Sequence, residues 1–462
     1  LLSVGDDSST CVRLVSNFGN KSPPVLYVAL SHRWGVAPTV AGKFATTTID
    51  NIKLISAEKG VSDGSLPQTF QDAVIITRKL GVKYLWIDSL CILQKNGQEE
   101  DADSKKDWDK ESQLMEKIFG SAYLTIAASC ANDRFEGFLK KRDERQFVTM
   151  RGSNGAQFHI CEIIDKFETD VEKGKLNQRG WVLQERALSQ RTLHFTRSQT
   201  YWECGDGIRC ETFTKTVNNI SAFLNDSNFP HSVESFKDGK KLQYYQYLYE
   251  LYSSLELTVK TDRPRAIAGL EQRLMKALNS TGGYGVIRAN FHRDLLWQRR
   301  NTGTTLRRIV FPAGKGVPSW SWMAFDGEIR YMNVPLGDLK RRVRTEAEDI
   351  LPPFPESWDN TSGGTPQISE QAYFRAHAHT LRSKSPAQMI LDEPDKSLTR
   401  PLKCVIIGSN RQENGEPLRY YALIVAPIEG LEKEKIFERV GVSYLSKEDV
   451  SIEEKTEYVN VG

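Results

Sequence analysis

Residues 25–35 read Val-Leu-Tyr-Val-Ala-Leu-Ser-His-Arg-Trp-Gly. The first seven lack the polar alternation of a half-buried strand, which predicts a strand over 25–31 buried on both faces, as in a parallel sheet. It ends at Ser31, His32 and Arg33, so polar groups stand at its carboxyl end. After a Thr/Ser-rich loop, Ser65-Leu66-Pro67 opens a helix in which Phe70, Ala73, Val74, Thr77 and Leu80 recur at helical spacing, and Gly81 stops it. A second strand, Val82-Lys83-Tyr84-Leu85-Trp86-Ile87-Asp88, closes on Asp88, Ser89 and Cys91. The charged stretch 95–107 reads as a solvated loop. Asp107 to Phe119 reads as a second helix ended by Gly120, and Ala122 to Ser129 as a third strand. This alternation predicts βαβ units, hence an α/β fold with a parallel sheet and flanking helices. Ligands of open parallel sheets bind beyond the carboxyl ends of the strands. Those ends carry Ser31, His32, Arg33, Asp88, Ser89, Ser129 and Cys130.

Further along, Arg179-Gly180-Trp181 leads into a short helix over 182–188 and a strand pair, Arg191 to Thr196 and Thr200 to Cys204. Residues 233–300 read mainly helical. The Pro-, Gly-, Ser- and Thr-rich stretch 351–369 reads as a linker or long loop. Alternating segments at 372–381, 404–407 and 420–425 predict a β-rich C-terminal module. The organisation read from these shifts is an N-terminal lead (1–24), an α/β domain (25–215), a mainly helical extension (216–350), a linker (351–370) and the β-rich module (371–462).

The 462 residues exceed what one core normally organises. At 39% hydrophobic and 26% charged, the chain is a folded globular protein. Its 62 Lys and Arg against 59 Asp and Glu leave a net charge of +3, too small to drive nucleic-acid binding without clustering. The clusters Arg299-Arg300, Arg307-Arg308 and Lys340-Arg341-Arg342 are short, so no nucleic-acid partner is expected. Seven cysteines contain no C-x-x-C pair, which signals neither a zinc ribbon nor a thioredoxin-type site. Cys204 and Cys210 flank Gly205-Asp206-Gly207 and can meet across a turn. The odd count points to a reducing compartment, and apolar runs fall far short of the roughly 20 residues of a membrane helix. The expectation is a cytoplasmic protein with no membrane span.

Glu111 does not fit a helix over 107–119. That wheel places Trp108, Met115, Ile118 and Phe119 on one face, with Glu111 near the middle of it. A carboxylate so placed is costly unless paired, hydrogen-bonded or used. It is either a structural partner of Arg33 or another buried base, or an active-site carboxylate. Glu185, four residues after Trp181 and close to Arg179, Arg186 and Arg191, reads rather as one side of an internal ion pair. His32 is either a satisfied core residue or a catalyst. Asp88 either binds a ribose hydroxyl or makes an ordinary Asx turn. Trp320 and Trp322 fit core packing better than a stacking platform. No G-x-G-x-x-G, Walker loop, H-E-x-x-H or G-x-S-x-G occurs, so those nucleotide, zinc-protease and hydrolase classes have no local support.

Several stretches together resemble the fungal heterokaryon-incompatibility (HET) family. The run from Tyr27 to Gly35 resembles its first box, and Leu66 to Ala73 continuing through Leu80-Gly81 to Gln94 resembles its second. Asp107-Trp108 with Glu111 and Met115, then Ala122 to Ala128, resembles the third, and Arg179-Gly180-Trp181 with Gln184-Glu185 and Leu188-Ser189 the closing block. Asp262-Arg263, Ala266 to Leu270 and Pro318 to Trp322 are similar to the region that follows. The resemblance implies a TIR-like or flavodoxin-like sheet and a role in triggering programmed cell death. Several TIR domains cleave NAD at the nicotinamide–ribose bond with one Glu on a helix beside the strand ends. On that analogy Glu111 and His32 are the catalytic candidates, and Ser31, Arg33, Trp34, Asp88, Ser89 and Trp108 hold a nucleotide. NAD or NADP is then substrate, with no metal and no cofactor. Two alternatives stand beside this: a non-enzymatic signalling module that self-associates or meets another incompatibility protein, and a small-molecule enzyme of fungal secondary metabolism.

Overall fold

The chain divides into two units, Leu1–Ser232 and Val233–Gly462, in a computed structural model. The structure describes residues 1–16, 25–35, 43–96, 101–142, 146–161, 164–211, 215–216, 233, 236–301, 303, 305–313, 316–335, 343–344, 350–355, 372–382, 389–394, 400–411, 417–431, 435–451 and 457–462.

In the first unit the strands are β1 (Leu2–Ser3), β2 (Cys11–Leu14), β3 (Val28–Ser31), β4 (Val61–Ser62), β5 (Tyr84–Trp86) and β6 (Leu124–Ala127). A hairpin follows, β7 (Phe147–Arg151) and β8 (Gln157–Cys161), then β9 (Arg191–Phe195), β10 (Thr200–Cys204), β11 (Gly207–Cys210) and β12 (Lys215–Thr216). The helices are α1 (Ile52–Ser56), α2 (Gln68–Lys79), α3 (Asp88–Cys91), α4 (Ala102–Glu111), α5 (Met115–Ser121) and α6 (Gly180–Leu188).

Ten strands form one mixed sheet in the order β12-β11-β10-β9-β6-β3-β5-β1-β2-β4. At its centre β9, β6, β3 and β5 run parallel. In chain order these four lie second, first, third, fourth across the sheet, so the winding reverses between β3 and β6. Such a reversal leaves a crevice at the carboxyl ends of the two strands. The predicted parallel sheet is present, and antiparallel edges extend it on both sides.

Side-chain alternation assigns the two faces of the sheet. Val28 and Leu30 of β3 share a core with Phe70, Ala73 and Val74 of α2. On the opposite face Ala127 of β6 packs with Leu176 and Val182, and Trp86 of β5 meets Phe119 of α5 edge-on at 5.5 Å. Ser31, one step beyond Leu30, turns toward α6, and His32 turns back to meet Phe70 edge-on at 5.1 Å. Gly81 ends α2 as expected, at φ 70°, where a side chain is strained. Buried Asp72 of α2 accepts from the backbone N–H groups of Phe138 and Leu139 at 2.7 and 2.9 Å, tying the loop after β6 to the helix.

Three expectations need correction. The charged stretch 95–107 is not all loop: α4 begins at Ala102, because Asp101 caps it by accepting from the Ser104 N–H at 2.7 Å. Residues 97–100 lie outside the described residues. The helix read over 107–119 is also not continuous, since the 3-10 turn Ser112–Leu114 separates α4 from α5. Each 3-10 residue turns about 20° further than an α-helical one, so three of them rotate the apolar stripe by roughly 60°. Glu111 is therefore not on the stripe of Met115 and Phe119. Cys204 and Cys210 do not meet either: Cys204 lies opposite Gly207 and Cys210 opposite Tyr201, and none of the seven cysteines forms a disulfide.

In the second unit, helices Asp238–Ser253, Ala268–Ala277 and Phe291–Asp294 precede a β-rich part. Five strands close on themselves there. Lys403–Arg411 pairs with Phe374–Thr380 and with Pro417–Pro427. Ile436–Leu445 joins Pro417–Pro427 to Glu457–Val461, which returns to Phe374–Thr380. The predicted β-rich module is thus barrel-like. Its core takes in Phe291, Leu295 and Trp320 together with Phe374, Leu423 and Val442. Trp320 and Trp322 are fully buried, their indole N–H groups donating to the carbonyls of Ala372 and Gly285. Of the stretch read as a linker, residues 356–370 lie outside the described residues. Among the described residues, no helix is long and apolar enough to cross a membrane.

Candidate functional site at the parallel strand ends

Four chain segments converge where the winding reverses: the end of β3, the start of α3 after β5, the loop after β6, and α6 with the residue that opens it. Ser31 Oγ donates to Glu185 Oε2 at 2.5 Å. One residue on, the His32 carbonyl accepts from Arg179 Nη1 at 2.7 Å, so the residue that opens α6 also fixes the end of β3. Asp88 opens α3, and its Oδ1 accepts from the Ser89 N–H at 2.7 Å. Its other oxygen accepts from Trp34 Nε1, also at 2.7 Å. Trp34 thereby orients a carboxylate and is not free to stack by its polar edge.

The His32 ring lies almost wholly buried between Phe70 and Asp88, with Nδ1 3.8 Å from Asp88 Oδ1. That separation is too long for a hydrogen bond. Burial pulls the imidazole down to about 4, against the pull of Asp88 and with the help of Arg179 and Arg134. His32 is therefore neutral near pH 7. The separation is within ion-pair range, yet desolvation outweighs the single carboxylate.

Glu185 behaves in the opposite sense. Burial pushes its carboxyl up to about 7, opposed by the Ser31 hydrogen bond and Arg179 and assisted by Asp88. The residue keeps some exposure as a whole, but the carboxyl end is the part held against Ser31, which is 3% exposed. Among the described residues no cation comes within ion-pair distance of it. The internal ion pair expected of Glu185 forms instead on the next residue: Arg186 holds Glu203 with two bonds of 2.7 Å. Successive helical residues point about 100° apart, so a neighbour in sequence faces another way.

Around these groups, His32 Nε2, Ser89 Oγ, Ser129 Oγ and Arg134 Nε are buried with no hydrogen-bond partner among the described residues. Buried polar atoms in folded proteins are nearly always partnered, so these four call for a bound water or another polar group. Ser31, His32, Trp34, Asp88 and Ser89 are thus brought together. Arg33 follows in the same turn and is partly exposed.

Glu111 stands apart. Its carboxylate is held by the Lys110 ammonium at 3.0 Å, with the two side chains 20% and 70% exposed. No hydrogen bond or ion pair joins it to the strand-end residues. Trp108, on the same helix, packs edge-on against Trp181 of α6 at 5.6 Å. An open hollow of about 260 Å³ lies beside α4, lined by Ile52, Leu93, Asp103, Lys106, Asp107 and Lys110. Four of its six lining residues are charged, and Asp107 already accepts from the Leu93 N–H. The sequence reading gave Glu185 and Arg179 to an internal ion pair and did not single out Arg134; the signal for Glu185 was a carboxylate among Val182, Leu183 and Leu188 on a helix opening with Arg179-Gly180.

Residues 27–185 match the family model described as Heterokaryon incompatibility protein (HET), about a third of the chain. This supports a heterokaryon-incompatibility domain here, and with it a role in incompatibility and cell death. The matched stretch runs from just before β3 to Glu185 and contains every strand-end residue named above. No curated protein and no solved structure matches the chain.

Proposed function

We propose, on the premise that residues 27–185 form a HET domain, that the strand-end crevice is a TIR-like site which cleaves the nicotinamide–ribose bond of NAD or NADP, with Glu185 as its working carboxylate. The observation that carries this reading is the Glu185 carboxyl held on Ser31 at the winding reversal, with a midpoint near 7. Strand order second, first, third, fourth is how flavodoxin-like sheets begin, and this supports the TIR-like part.

In the reaction the C1′–N bond breaks heterolytically and nicotinamide leaves with the bonding pair. Positive charge develops on the ribose, and water adds at C1′ to give ADP-ribose and a proton. Ionised Glu185 stabilises the oxocarbenium-like ribose or takes the proton of the attacking water, as carboxylates do in glycoside hydrolysis. Asp88, oriented by Trp34, accepts from ribose hydroxyls, while neutral His32 and Ser89 offer further polar contacts. Arg179, Arg134 and Arg33 supply positive charge for the diphosphate.

The test is incubation of the purified chain with NAD and with NADP, followed by product analysis. Nicotinamide and ADP-ribose should accumulate, and kcat/KM should rise through a midpoint near 7 as Glu185 ionises. Absence of turnover across pH 6 to 9 would count against the reading.

A second reading, self-association without chemistry, is favoured by the hairpin β7–β8. Its cross-strand pairs Val148–Ile160 and Met150–Phe158 put four apolar side chains on one face, 66, 52, 46 and 46% exposed respectively. Exposed apolar faces of this kind mark contact surfaces. Intact NAD together with concentration-dependent oligomers, lost on Val148→Lys, would select this reading.

A further inference from the structure

Beneath Ser31, on the α6 face of the sheet, lies a second set of buried polar groups that the proposed reaction does not use. Glu203 of β10 accepts from Arg186 through both oxygens, and His194 of β9 places Nε2 2.8 Å from Glu203 Oε2. All three side chains are 5% exposed or less. Burial opposes the Glu203 charge, but Arg186 and His194 overcome it and pull the carboxyl down to about 2. Burial lowers His194 as well, Glu203 opposing and Arg186 adding to it, so the ring is neutral. With Glu203 ionised, the ring proton sits on Nε2 and Nδ1 is an acceptor. Nδ1 has no partner among the described residues.

Between these groups and Ser31 is a small cavity of about 10 Å³, lined by Ser31, Thr125, Asn177, Thr192, Arg186 and His194, among others. That is room for about one water, and the lining offers the two to four polar partners a buried water needs.

We infer that this cavity is a water site through which His194 orients the Ser31 hydroxyl, and thereby Glu185. The direction of every hydrogen bond follows from the pairs already fixed. Arg186 and His194 Nε2 donate to Glu203. The water donates one proton to His194 Nδ1 and the other to Ser31 Oγ, which leaves the hydroxyl proton committed to Glu185 Oε2. Turned the other way, Ser31 would compete for the water and leave Glu185 without its donor. His194 is on this account a positioning residue. The inference rests on the reading of Glu185 as the working carboxylate, but its consequence is a titration and not a turnover.

The experiment uses the full chain with glutamate labelled at the carboxyl carbon, titrated by NMR from pH 5 to 9. The charged and titratable groups facing the two ends are Arg179 and Asp88 for Glu185, and Glu203 and Arg186 for His194, and all are kept. Ser31→Ala should raise the Glu185 midpoint by about one unit, the worth of one hydrogen bond to a charged acceptor. His194→Phe should raise it in the same direction by less, and adding it to Ser31→Ala should change nothing further. His194→Gln, which keeps a donor for Glu203 and an acceptor for the water, should restore much of the wild-type midpoint. An unmoved midpoint in His194→Phe beside a shifted one in Ser31→Ala would overturn the water site alone. An unmoved midpoint in Ser31→Ala would overturn the site reading with it. A high-resolution crystal structure should place one ordered water within hydrogen-bond distance of Ser31 Oγ and His194 Nδ1; a dry cavity contradicts the inference.

Discussion

Glu185→Gln is expected to lower NAD turnover about 10²–10³-fold, the scale seen when one group aimed at developing charge is removed, without loss of fold. Folding raises the Glu185 midpoint from 4.5 to about 7. The protonated form is thus the one the fold prefers, and its contribution to stability is complete below about 4.5 and lost as pH rises through 7. Gln mimics the protonated carboxyl and keeps an acceptor for Ser31. The variant should therefore unfold at the same temperature as wild type at pH 4.5 and at an equal or higher one at pH 8. A residue kept for stability behaves in the opposite way. Glu111→Gln should leave turnover unchanged, because its carboxylate pairs with an exposed lysine at 3.0 Å and such pairs contribute little. Nicotinamide release and thermal unfolding, measured on both variants, check the pair of expectations.

Arg186→Met is expected to cost about 3 to 5 kcal/mol, or roughly 10 °C in a unit of this size. The arginine is 5% exposed and gives Glu203 two hydrogen bonds, while His194 gives it a third. Removing the guanidinium strands a carboxylate in a medium where it has one neutral donor left. Replacing Arg186, Glu203 and His194 together by Met, Leu and Phe should recover most of the loss, since buried charge clusters are costly to break but not intrinsically stabilising. The same cluster fixes an acid limb. With its folded midpoint near 2 against an unfolded value near 4.5, Glu203 contributes stability above 4.5 that disappears as pH falls toward 2. Denaturant unfolding of wild type and Arg186→Met at pH 7 and pH 3 should show the two converging in acid.

Much of the parallel centre was legible, because β3, β5 and β6 bury side chains on both faces and are mostly apolar. Legible too were the stop at Gly81 and the hairpin of β9 and β10. The edge strands β1 and β4 were not, since two residues each carry no period. The barrel-like closure in the second unit depends on pairings between segments far apart in the chain, which no local pattern encodes. At the site, Ser31, His32 and Asp88 were found as strand-end residues. Glu111 was singled out by a wheel drawn through a 3-10 turn, and Glu185 was given to arginines that bind elsewhere. Both placements assumed side-chain directions that the 3-10 turn and the 100° helical step do not give.

Soaking crystals of the chain with ADP-ribose tests the central claim most directly. Density should lie beyond the ends of β3 and β6, with ribose hydroxyls on Asp88 and the C1′ carbon facing Glu185. Ordered ligand instead in the hollow beside α4, against Asp107 and Lys110 and next to Glu111, would contradict it.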